Sequence, residues 1–425
     1  MKRFPGMIAA FLLLMAALPA AAEILRLHID GTIHPIVAEQ VARAVDAAEA
    51  RHAAALLIEI NTPGGLLDST REIVAKIESS SVPVIVFVGP SGARAASAGF
   101  FILESADVAA MANGTNTGAA HPVTIGGGKL DDVMKAKIEN DTAASLRSYV
   151  SRRGRNVEEA EKAVRQSISW TEKEALGLKL IDLTANDEAD LLKLLDGRTI
   201  HRFDGSSVVL HTAGQPVEEL PATLRQRVLG WLMDPNIAFL VLAIGALSLY
   251  AEFNHPGAII PGVVGVIFIL LTLFALNLLP TRYASLWLIA LAFVLFALEA
   301  KFMSHGILTI GGIVSLTLGG LLLVDGPIPE MRVKLIVALA VSLPFGLITA
   351  FLMSIAWRAR RNKVVTGAQG LVGEVGVACT DLAPAGKIFV HGELWDARAM
   401  QPIHKGAGVR VIGIRQLELE VEAEK

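Results

Sequence analysis

The sequence predicts an α/β domain, then an α-helical transmembrane bundle, then a small all-β domain. Three observations indicate this order. Residues 23–200 alternate short apolar strands with amphipathic helices, which is typical of a parallel sheet with helices on both faces. Residues 236–357 hold five long apolar segments, each close to the ~20 residues that cross a bilayer. Residues 364–425 are polar again and alternate as half-buried strands do.

The first 22 residues have the pattern of an export signal. Lys2 and Arg3 precede an apolar run from Met7 to Leu18, and small residues follow before Glu23. A positive start, a short apolar core and small residues before a cleavage point are typical of a secretory signal peptide. We therefore predict that residues 1–22 are a signal peptide, with a retained anchor helix as the alternative. In either case the following domain is exported.

In the α/β domain, each element follows from its local pattern. Alternating or continuous apolar runs predict strands, and apolar residues that recur at helical spacing predict helices. The predicted strands are 24–29, 54–60 and 82–88, and the predicted helices are 37–51, 67–79 and 131–153. Residues 201–235 are predicted to be a linker with a short hairpin, because Asp204-Gly205 lies between two apolar runs and favours a tight turn.

The membrane part is predicted to have five transmembrane helices. The apolar segments are 237–253, 258–279, 284–303, 306–324 and 335–357. Four basic residues follow the fifth segment and favour a cytoplasmic side there: Arg358, Arg360, Arg361 and Lys363. An exported first domain and a cytoplasmic carboxyl end require an odd number of spans, which agrees with five. Other basic residues would lie outside, so loop charge alone does not decide the orientation: Arg225, Arg227, Arg282, Arg332 and Lys334.

The last domain, residues 364–425, is predicted to be a small barrel of the OB type, because about five short strands follow one another without a strong helix. Its aromatic residues are few, among them Phe389 and Trp395, and its tail is acidic. Stacking on aromatic side chains and a basic groove are what single-stranded nucleic acid requires. We therefore expect a protein-contact module and no nucleic-acid partner.

Composition excludes several classes of function. Hydrophobic residues make up 53% of the chain and the net charge is -3, which does not favour electrostatic binding of nucleic acid. Cys379 is the only cysteine, so a disulfide within the chain and a cysteine-rich metal site are both excluded. No cluster of histidine, aspartate and glutamate has the spacing of metal ligands. We expect neither a metal nor a cofactor.

Two short segments of the α/β domain carry candidate catalytic groups. Gly64 and Gly65 follow a buried strand and can present backbone amides without a side chain in the way. Ser97 lies at the start of an apolar helix, where the amide of Ala98 and the helix dipole favour negative charge. Serine needs a base and preorganised amides to attack a carbonyl. Together these residues resemble a nucleophile and an oxyanion hole, although tight turns with small residues for close packing would also explain them.

The base is less well defined by the sequence. Lys137 follows two apolar residues by one helical turn, which predicts a position at the margin of an apolar face, whereas Lys135 lies among carboxylates on a solvated face. A desolvated lysine gives up its proton more readily, as a general base must. Asp141 would keep Lys137 charged if the two paired, unless Asp141 faces solvent. His121 is the rival base and would need an aspartate to complete a triad, but a lone histidine before proline is also a common structural turn.

Three regions of the chain together resemble long NfeD-type proteins. These are membrane-bound serine proteases of the ClpP class, related to signal peptide peptidase A and to the crotonase fold. The motifs that carry the resemblance are Asn61-Thr-Pro-Gly-Gly65, Ala95-Ala-Ser-Ala-Gly99 and Gly114-Thr-Asn-Thr-Gly-Ala-Ala-His-Pro122, then Glu252-Phe-Asn-His-Pro-Gly257 with Pro261-Gly262, and finally Gly370-Leu-Val-Gly373 and Gly392-Glu-Leu-Trp395. They occur in the same order as in that family and cover nearly all of the mature chain.

The resemblance implies a ClpP/crotonase-like protease domain, a membrane bundle and an OB-fold domain. It implies a Ser97–Lys137 dyad, since Lys137-Ile-Glu-Asn-Asp141 matches the segment with the family's catalytic lysine. It also implies cleavage of hydrophobic segments, stomatin-like membrane proteins as partners, and a homodimer or larger oligomer. The expected location is the bacterial inner membrane, with a periplasmic protease domain and a cytoplasmic OB domain.

Three alternatives remain open at this point. A non-proteolytic scaffold could use the same domains to bind partners, although the presence of both Ser97 and Lys137 argues against it. A Ser–His triad with His121 is the second. The third is crotonase-type acyl chemistry, which also uses two backbone amides but acts on cytoplasmic thioesters and so conflicts with export.

Overall fold

The computed structural model describes residues 23–123, 131–254, 257, 259–302, 304–361 and 368–424. The predicted signal peptide lies outside the described residues, as does Lys363. The chain forms two compact units. The first runs to Leu298 and includes Ile307–Gly346, and the second consists of Glu299–Gly306 and the chain from Leu347 onward.

A six-stranded parallel sheet forms the centre of the α/β domain, as the alternating pattern predicts. The strands, in chain order, are β1 (Ile24–Asp30), β2 (Ala55–Asn61), β3 (Val84–Val88), β5 (Val108–Ala112), β8 (Leu183–Ala185) and β11 (Val217–Glu219). Their spatial order is β11-β1-β2-β3-β5-β8. Alternate side chains of β2 enter opposite apolar clusters, Leu56 on one face and Leu57 on the other. Both faces are buried, which is why these strands read as continuous apolar runs.

Helices cover both faces of this sheet. They are α1 (Pro35–Arg51), α2 (Leu67–Ser79), α3 (Ala98–Ser105), α4 (Asp132–Arg152), α5 (Val157–Arg165), α6 (Glu172–Gly177) and α7 (Glu188–Leu195). Helices α1 to α5 contribute to one apolar cluster and α7 to the other. The predicted helix 67–79 has the observed bounds of α2, and the predicted helix 131–153 corresponds to α4.

A small second sheet lies at the carboxyl end of β2. It consists of β4 (Arg94–Ala96), β6 (Asn116–Gly118) and β7 (Ser169–Thr171), with β6 in the middle. Thr62, directly after β2, bridges to Ala95 of β4, and its amide donates to the Arg94 carbonyl at 2.7 Å. The end of the main sheet therefore fixes the strand that leads into Ser97.

The predicted hairpin is present as β9 (Thr199–His201) and β10 (Ser207–Val209), which pair antiparallel. The segment after it differs from the prediction of a simple linker. Strand β11 joins the edge of the main sheet in parallel beside β1, with Ile24 opposite Val217. Its sequence, Val-Glu-Glu, lies at an edge and has one apolar residue, so the pattern gave no indication of a strand.

Five apolar helices follow the short helix α8 (Leu224–Leu232): α9 (Pro235–Asn254), α10 (Ile259–Asn277), α11 (Tyr283–Phe302), α12 (Ile307–Leu321) and α13 (Leu335–Arg361). Three described segments are long and apolar enough to cross a membrane: Pro235–Phe253, Ile259–Asn277 and Pro329–Phe351. The apolar parts of α11 and α12 are shorter. Five apolar helices thus agree with the five predicted segments, and the number that span the bilayer stays a prediction.

The carboxyl-terminal domain begins with a short helix, α14 (Ala368–Leu371), and continues as a closed five-stranded barrel. The strands are β12 (Val375–Ala378), β13 (Ala385–Val390), β14 (Glu393–Ala399), β15 (Gly408–Arg415) and β16 (Glu418–Ala423). Their order around the ring is β12-β13-β14-β16-β15, and β12 pairs with β15 to close it. The small barrel agrees with the predicted all-β domain.

A buried ionic cluster anchors the end of α3. Arg155 donates to the carbonyls of Glu104 at 2.7 Å and of Ala106 at 3.0 Å, and it pairs with Asp182 at 2.7 Å. The Glu104 carboxyl is fully buried, lies 3.9 Å from Arg155, and neither of its oxygens has a hydrogen-bond partner among the described residues. Burial raises the pKa of Glu104 to about 8, although Arg155 opposes the rise and Asp182 adds to it. Glu104 is therefore neutral at pH 7 and Asp182 balances the Arg155 charge.

The raised pKa of Glu104 predicts a pH-dependent stability. Between about pH 4.5 and about pH 8 the folded chain keeps the proton on Glu104 and the unfolded chain loses it. The contribution of Glu104 to the free energy of unfolding is therefore complete below pH 4.5 and is lost as the pH rises to 8. Glu104→Gln removes the titration and should raise the thermal midpoint of the detergent-solubilised full chain at pH 8.5 by roughly 2–4 °C.

The exposed Glu72 of α2 offers a matched control, because Glu72→Gln also removes one carboxylate. We expect Glu72→Gln to leave the pH dependence of the midpoint unchanged. If the thermal midpoints of wild type and Glu104→Gln change with pH in parallel between pH 5 and 8.5, the assignment of a proton to Glu104 in the folded chain is wrong.

Candidate active site

Ser97 occupies a sharp turn between β4 and α3. Its backbone has φ 52° and ψ -110°, a conformation that costs a residue with a Cβ of order 1–3 kcal/mol and persists only where neighbours impose it. The Ser97 amide donates to the Gly118 carbonyl at 2.8 Å, and the Ser97 carbonyl accepts from the amide of Phe100 at 3.0 Å. Its hydroxyl makes no capping bond to α3. The side chain is therefore held at the helix amino terminus with its hydroxyl free to react.

Gly64 lies directly against this serine. A Cβ on Gly64 would approach the Ser97 Cβ to 2.8 Å and its Oγ to 3.2 Å. Gly64 also has φ +123°, which side chains rarely adopt. Position 64 therefore requires glycine for two reasons: its positive φ, and its close approach to the Ser97 side chain.

The three amides predicted to stabilise an oxyanion are not equivalent. The Gly64 amide donates to Thr62 Oγ1 at 3.1 Å, inside its own turn. The amides of Gly65 and Ala98 donate no hydrogen bond among the described residues, and both residues line the same cleft as Ser97. Of the three predicted amides, those of Gly65 and Ala98 are therefore the two without an acceptor in the described part of the chain.

The cleft around Ser97 has a volume of about 280 Å³. Its walls are mostly apolar. They come from the loop after β2, α2, Ser97 with α3, the segment after β6, α4, and the turn between α12 and α13: Gly65, Leu66, Leu67, Asp68, Thr70, Ser97, Ala98, Phe101, Ala120, His121, Pro122, Val123, Ile138, Thr142 and Pro327. Such a lining favours an apolar side chain. A second cavity of about 270 Å³ shares Leu67 and Phe101 with the cleft, so the two are adjacent.

Lys137 has different surroundings from those predicted. Its side chain is exposed and it does not line the cleft, whereas the next residue, Ile138, does. The first turns of α4 are exposed as a whole, with Val133 74% and Met134 46% accessible, so the predicted desolvation of Lys137 is absent in the single chain. Asp141 pairs with Arg71 of α2 and not with Lys137.

His121 lines the cleft with Ser97. Its Nδ1 lies 2.7 Å from the Val164 carbonyl oxygen. Because a carbonyl can only accept, Nδ1 carries a proton and donates it to this bond. Within the described residues, no aspartate or glutamate forms an ion pair with His121. The third member of a Ser–His–Asp triad is therefore missing from the described part of the chain.

Two residues of the cleft were not identified from the sequence. Thr142 is 2% exposed and its hydroxyl has no hydrogen-bond partner among the described residues. It lies one helical turn after Ile138, so the period of α4 could have indicated it. Pro327 comes from the turn between α12 and α13, in a different predicted domain, and no local pattern points from it to Ser97. Among the described residues, no group of three or more potential ligands could hold a metal ion.

Three family models match the chain in succession. The NfeD1b N-terminal domain matches residues 23–201, the NfeD integral membrane domain matches residues 236–355, and the NfeD-like C-terminal, partner-binding domain matches residues 368–422. Together they account for most of the chain and reproduce its three structural parts.

Similar proteins extend over the same length. The membrane-bound protease PH1510 of Pyrococcus horikoshii is 34% identical over 412 residues, covering 94% of this chain and 92% of the relative. The membrane protein NfeD1b of Bacillus subtilis is 27% identical over 390 residues, covering 87% and 85%. A solved structure of a lysine-to-alanine variant of 1510-N membrane-bound stomatin-specific protease, in complex with a substrate peptide, is 31% identical, with a TM-score of 0.47 and coverage of 50% of this chain and 98% of that chain.

The contact between Gly64 and Ser97 predicts the effect of a methyl group. Gly64→Ala should slow phosphonylation of Ser97 by a fluorophosphonate probe roughly 10–100-fold, because displacement of a reacting group by about 1 Å has effects of that size. Gly31 is the matched control, since it has φ +117° and an added Cβ would meet nothing within 4 Å. Gly31→Ala carries the same backbone strain and should keep the wild-type labelling rate. Equal rates for the two variants would exclude a steric effect on Ser97.

Proposed function

The chain belongs to the long-form NfeD family, and from this membership we propose that it is a membrane-anchored serine endopeptidase. Ser97 is the nucleophile, Lys137 the general base, and the amides of Gly65 and Ala98 the oxyanion hole. The observation that carries the proposal is the strained turn at Ser97, which presents a hydroxyl beside two unengaged amides in an apolar cleft. The protein is a membrane protein, as its apolar helices and its family indicate.

In the proposed reaction, Ser97 Oγ attacks the scissile carbonyl while Lys137 takes the hydroxyl proton. The carbonyl oxygen becomes an oxyanion and accepts hydrogen bonds from the two amides. Collapse of this intermediate breaks the peptide bond, and Lys137 returns the proton to the leaving amine. Water then attacks the acyl-enzyme while Lys137 takes a proton from it. Lys137 returns this proton to Ser97 Oγ as the acid product leaves.

Binding of substrate or of a second copy of the chain is proposed to complete the dyad. Lys137 is one residue away from the cleft wall at Ile138. Val123 of the cleft lining is exposed, and so are Val133 and Met134, which precede Ile138 on α4. An apolar peptide or a second subunit that covers them would desolvate Lys137 and favour its neutral form. This requirement agrees with the expected dimer or larger oligomer.

His121 is the weaker candidate for the base. The Val164 carbonyl fixes its tautomer but supplies no negative charge to stabilise an imidazolium, as the aspartate of a triad does. We assign His121 a place in the cleft wall, with Nε2 available as an acceptor for substrate.

The proposed substrates are hydrophobic segments of membrane-associated proteins, and the proposed partners are stomatin-like membrane proteins. The apolar lining of the cleft supports the first part. The match of the barrel to a partner-binding domain and the name of the structural relative, a stomatin-specific protease, support the second. We further propose that the protease domain faces the periplasm of a bacterial inner membrane and that the barrel, an OB fold, is cytoplasmic.

The dyad predicts a distinct pattern of variant activities. Ser97→Ala and Lys137→Ala should each lower cleavage of a fluorogenic apolar peptide by the detergent-solubilised full chain at least ~10³-fold, because the two groups act as a unit. His121→Ala should retain activity within ~10-fold. Wild-type activity should rise with pH to an alkaline plateau, since the base must lose a proton before it can act.

Lys135 is the matched control for Lys137, because both are exposed lysines on the first turns of α4. Lys135→Ala should leave activity within about 2-fold. Loss with His121→Ala together with retention by Lys137→Ala would replace the dyad with a histidine base. Full activity of Ser97→Ala would overturn the peptidase proposal, and the exposed position of Lys137 would then favour a non-proteolytic scaffold.

A further inference from the structure

The turn between α12 and α13 reaches the cleft that holds Ser97. Pro327, in this turn, lines the cleft together with Ser97 and His121. The other residues that line this cleft belong to the α/β domain. One wall is therefore supplied by the part of the chain that carries the apolar helices.

The turn of residues 326–331 is a fixed structure. Arg332 Nε donates to the Gly326 carbonyl at 2.9 Å, and the Met331 amide donates to the Ile328 carbonyl at 3.0 Å. Met331 is 2% exposed and packs in the apolar cluster of the membrane helices. At the entrance to the turn, Asp325 pairs with Arg282 at 2.6 Å. The position of Pro327 is thus set by contacts on both sides of it.

Two contacts hold this turn against the α/β domain. Glu330 pairs at 3.1 Å with Arg94, a residue of the strand that leads into Ser97. Both side chains are about half exposed, so the pair fixes position more than it adds stability. Leu66 lines the cleft and also packs against the apolar cluster that contains Met331. The turn and the α/β domain are thus joined by one ion pair and one apolar contact.

The turn also lies at the start of a membrane span. Pro329–Phe351 is long and apolar enough to cross a bilayer, and Pro327 precedes it by two residues. Pro327 is therefore the cleft residue closest in sequence to a candidate membrane span. A peptide that leaves the bilayer in an extended form would meet this wall beside Ser97.

We propose that the turn of residues 326–331 is the membrane-side wall of the substrate cleft, and that Pro327 limits the size of the apolar side chain accepted beside Ser97. The inference rests on the proposed peptidase function and deepens it. The substrate class is an extended peptide with an apolar residue next to the scissile bond, close to a membrane surface. The isolated α/β domain would have an open cleft and a broader side-chain preference.

The test uses the detergent-solubilised full chain and two fluorogenic peptides that differ in one residue before the scissile bond, phenylalanine or alanine. Pro327→Trp fills the cleft and should lower kcat/KM for the phenylalanine peptide at least ~10-fold, as steric exclusion from an apolar pocket does. The value for the alanine peptide should change less than ~3-fold. Pro329 is exposed and does not line the cleft, so Pro329→Trp should leave both values unchanged.

Labelling of Ser97 by a small fluorophosphonate reports whether each variant is folded and reactive. If Pro327→Trp loses labelling, Pro327→Gly takes its place. That variant widens the cleft and should raise kcat/KM for a tryptophan peptide relative to the alanine peptide, with Pro329→Gly as its control. A wild-type chain that neither cleaves nor labels would contradict the proposed function. A wild-type chain that cleaves, with the same peptide preference in every variant, would overturn the assignment of the wall alone.

A charge exchange tests the contact between the turn and the α/β domain. Arg94→Glu and Glu330→Arg each place like charges together and should shift the ratio of the two kcat/KM values. The double variant Arg94→Glu/Glu330→Arg restores opposite charges and should return the ratio to that of the wild type. Single variants with an unchanged ratio would show that the wall does not depend on this pair.

Discussion

The strained backbone of Ser97 is the constraint on which the site depends. A residue with φ 52° and ψ -110° must be held there by its neighbours, because the same segment would relax in isolation. Thr62 fixes the strand before it, the Gly118 carbonyl accepts from its amide, and Gly64 leaves room for its side chain. The far end of the following helix is fixed by Arg155. The small sheet, the turn at Gly64 and the buried ionic cluster at the end of α3 thus all constrain the position of Ser97.

The surroundings of this serine explain why the protein combines an α/β domain with membrane helices. An apolar cleft excludes water and strengthens hydrogen bonds to a developing charge. Apolar peptide segments are scarce in water and concentrated at a bilayer. Under the proposed function, a cleft with one wall at the start of a candidate membrane span would place the catalytic groups where such segments emerge. The first turns of α4 are exposed, and Lys137 with them, in the single chain.

The sequence was most informative where the chemistry is local. The parallel sheet, the five apolar segments, the small barrel and the helix that begins at Ser97 each follow from the pattern of a short stretch. Contacts between distant stretches could not be derived in this way. The pairing of Asp141 with Arg71, the bond from the Gly64 amide to Thr62, and the position of Pro327 in the cleft all depend on how the elements pack. Helical spacing placed Lys137 near an apolar face but could not show that the first turns of α4 are exposed.

Closure of the carboxyl-terminal barrel limits how a partner can be recognised. Within residues 368–424, every strand of the ring pairs with a neighbour on both sides, including the parallel pairing of β14 with β16. Most of each strand is paired, and an added peptide strand would find only short free stretches of backbone, such as the β16 side of Glu393–Trp395, which disfavours β-augmentation. Binding then relies on outward side chains and loops. These contacts distinguish partners by their side chains, whereas backbone pairing would recognise any extended strand. Variation of a few surface residues between homologous barrels would then be enough to change partners without any change of fold.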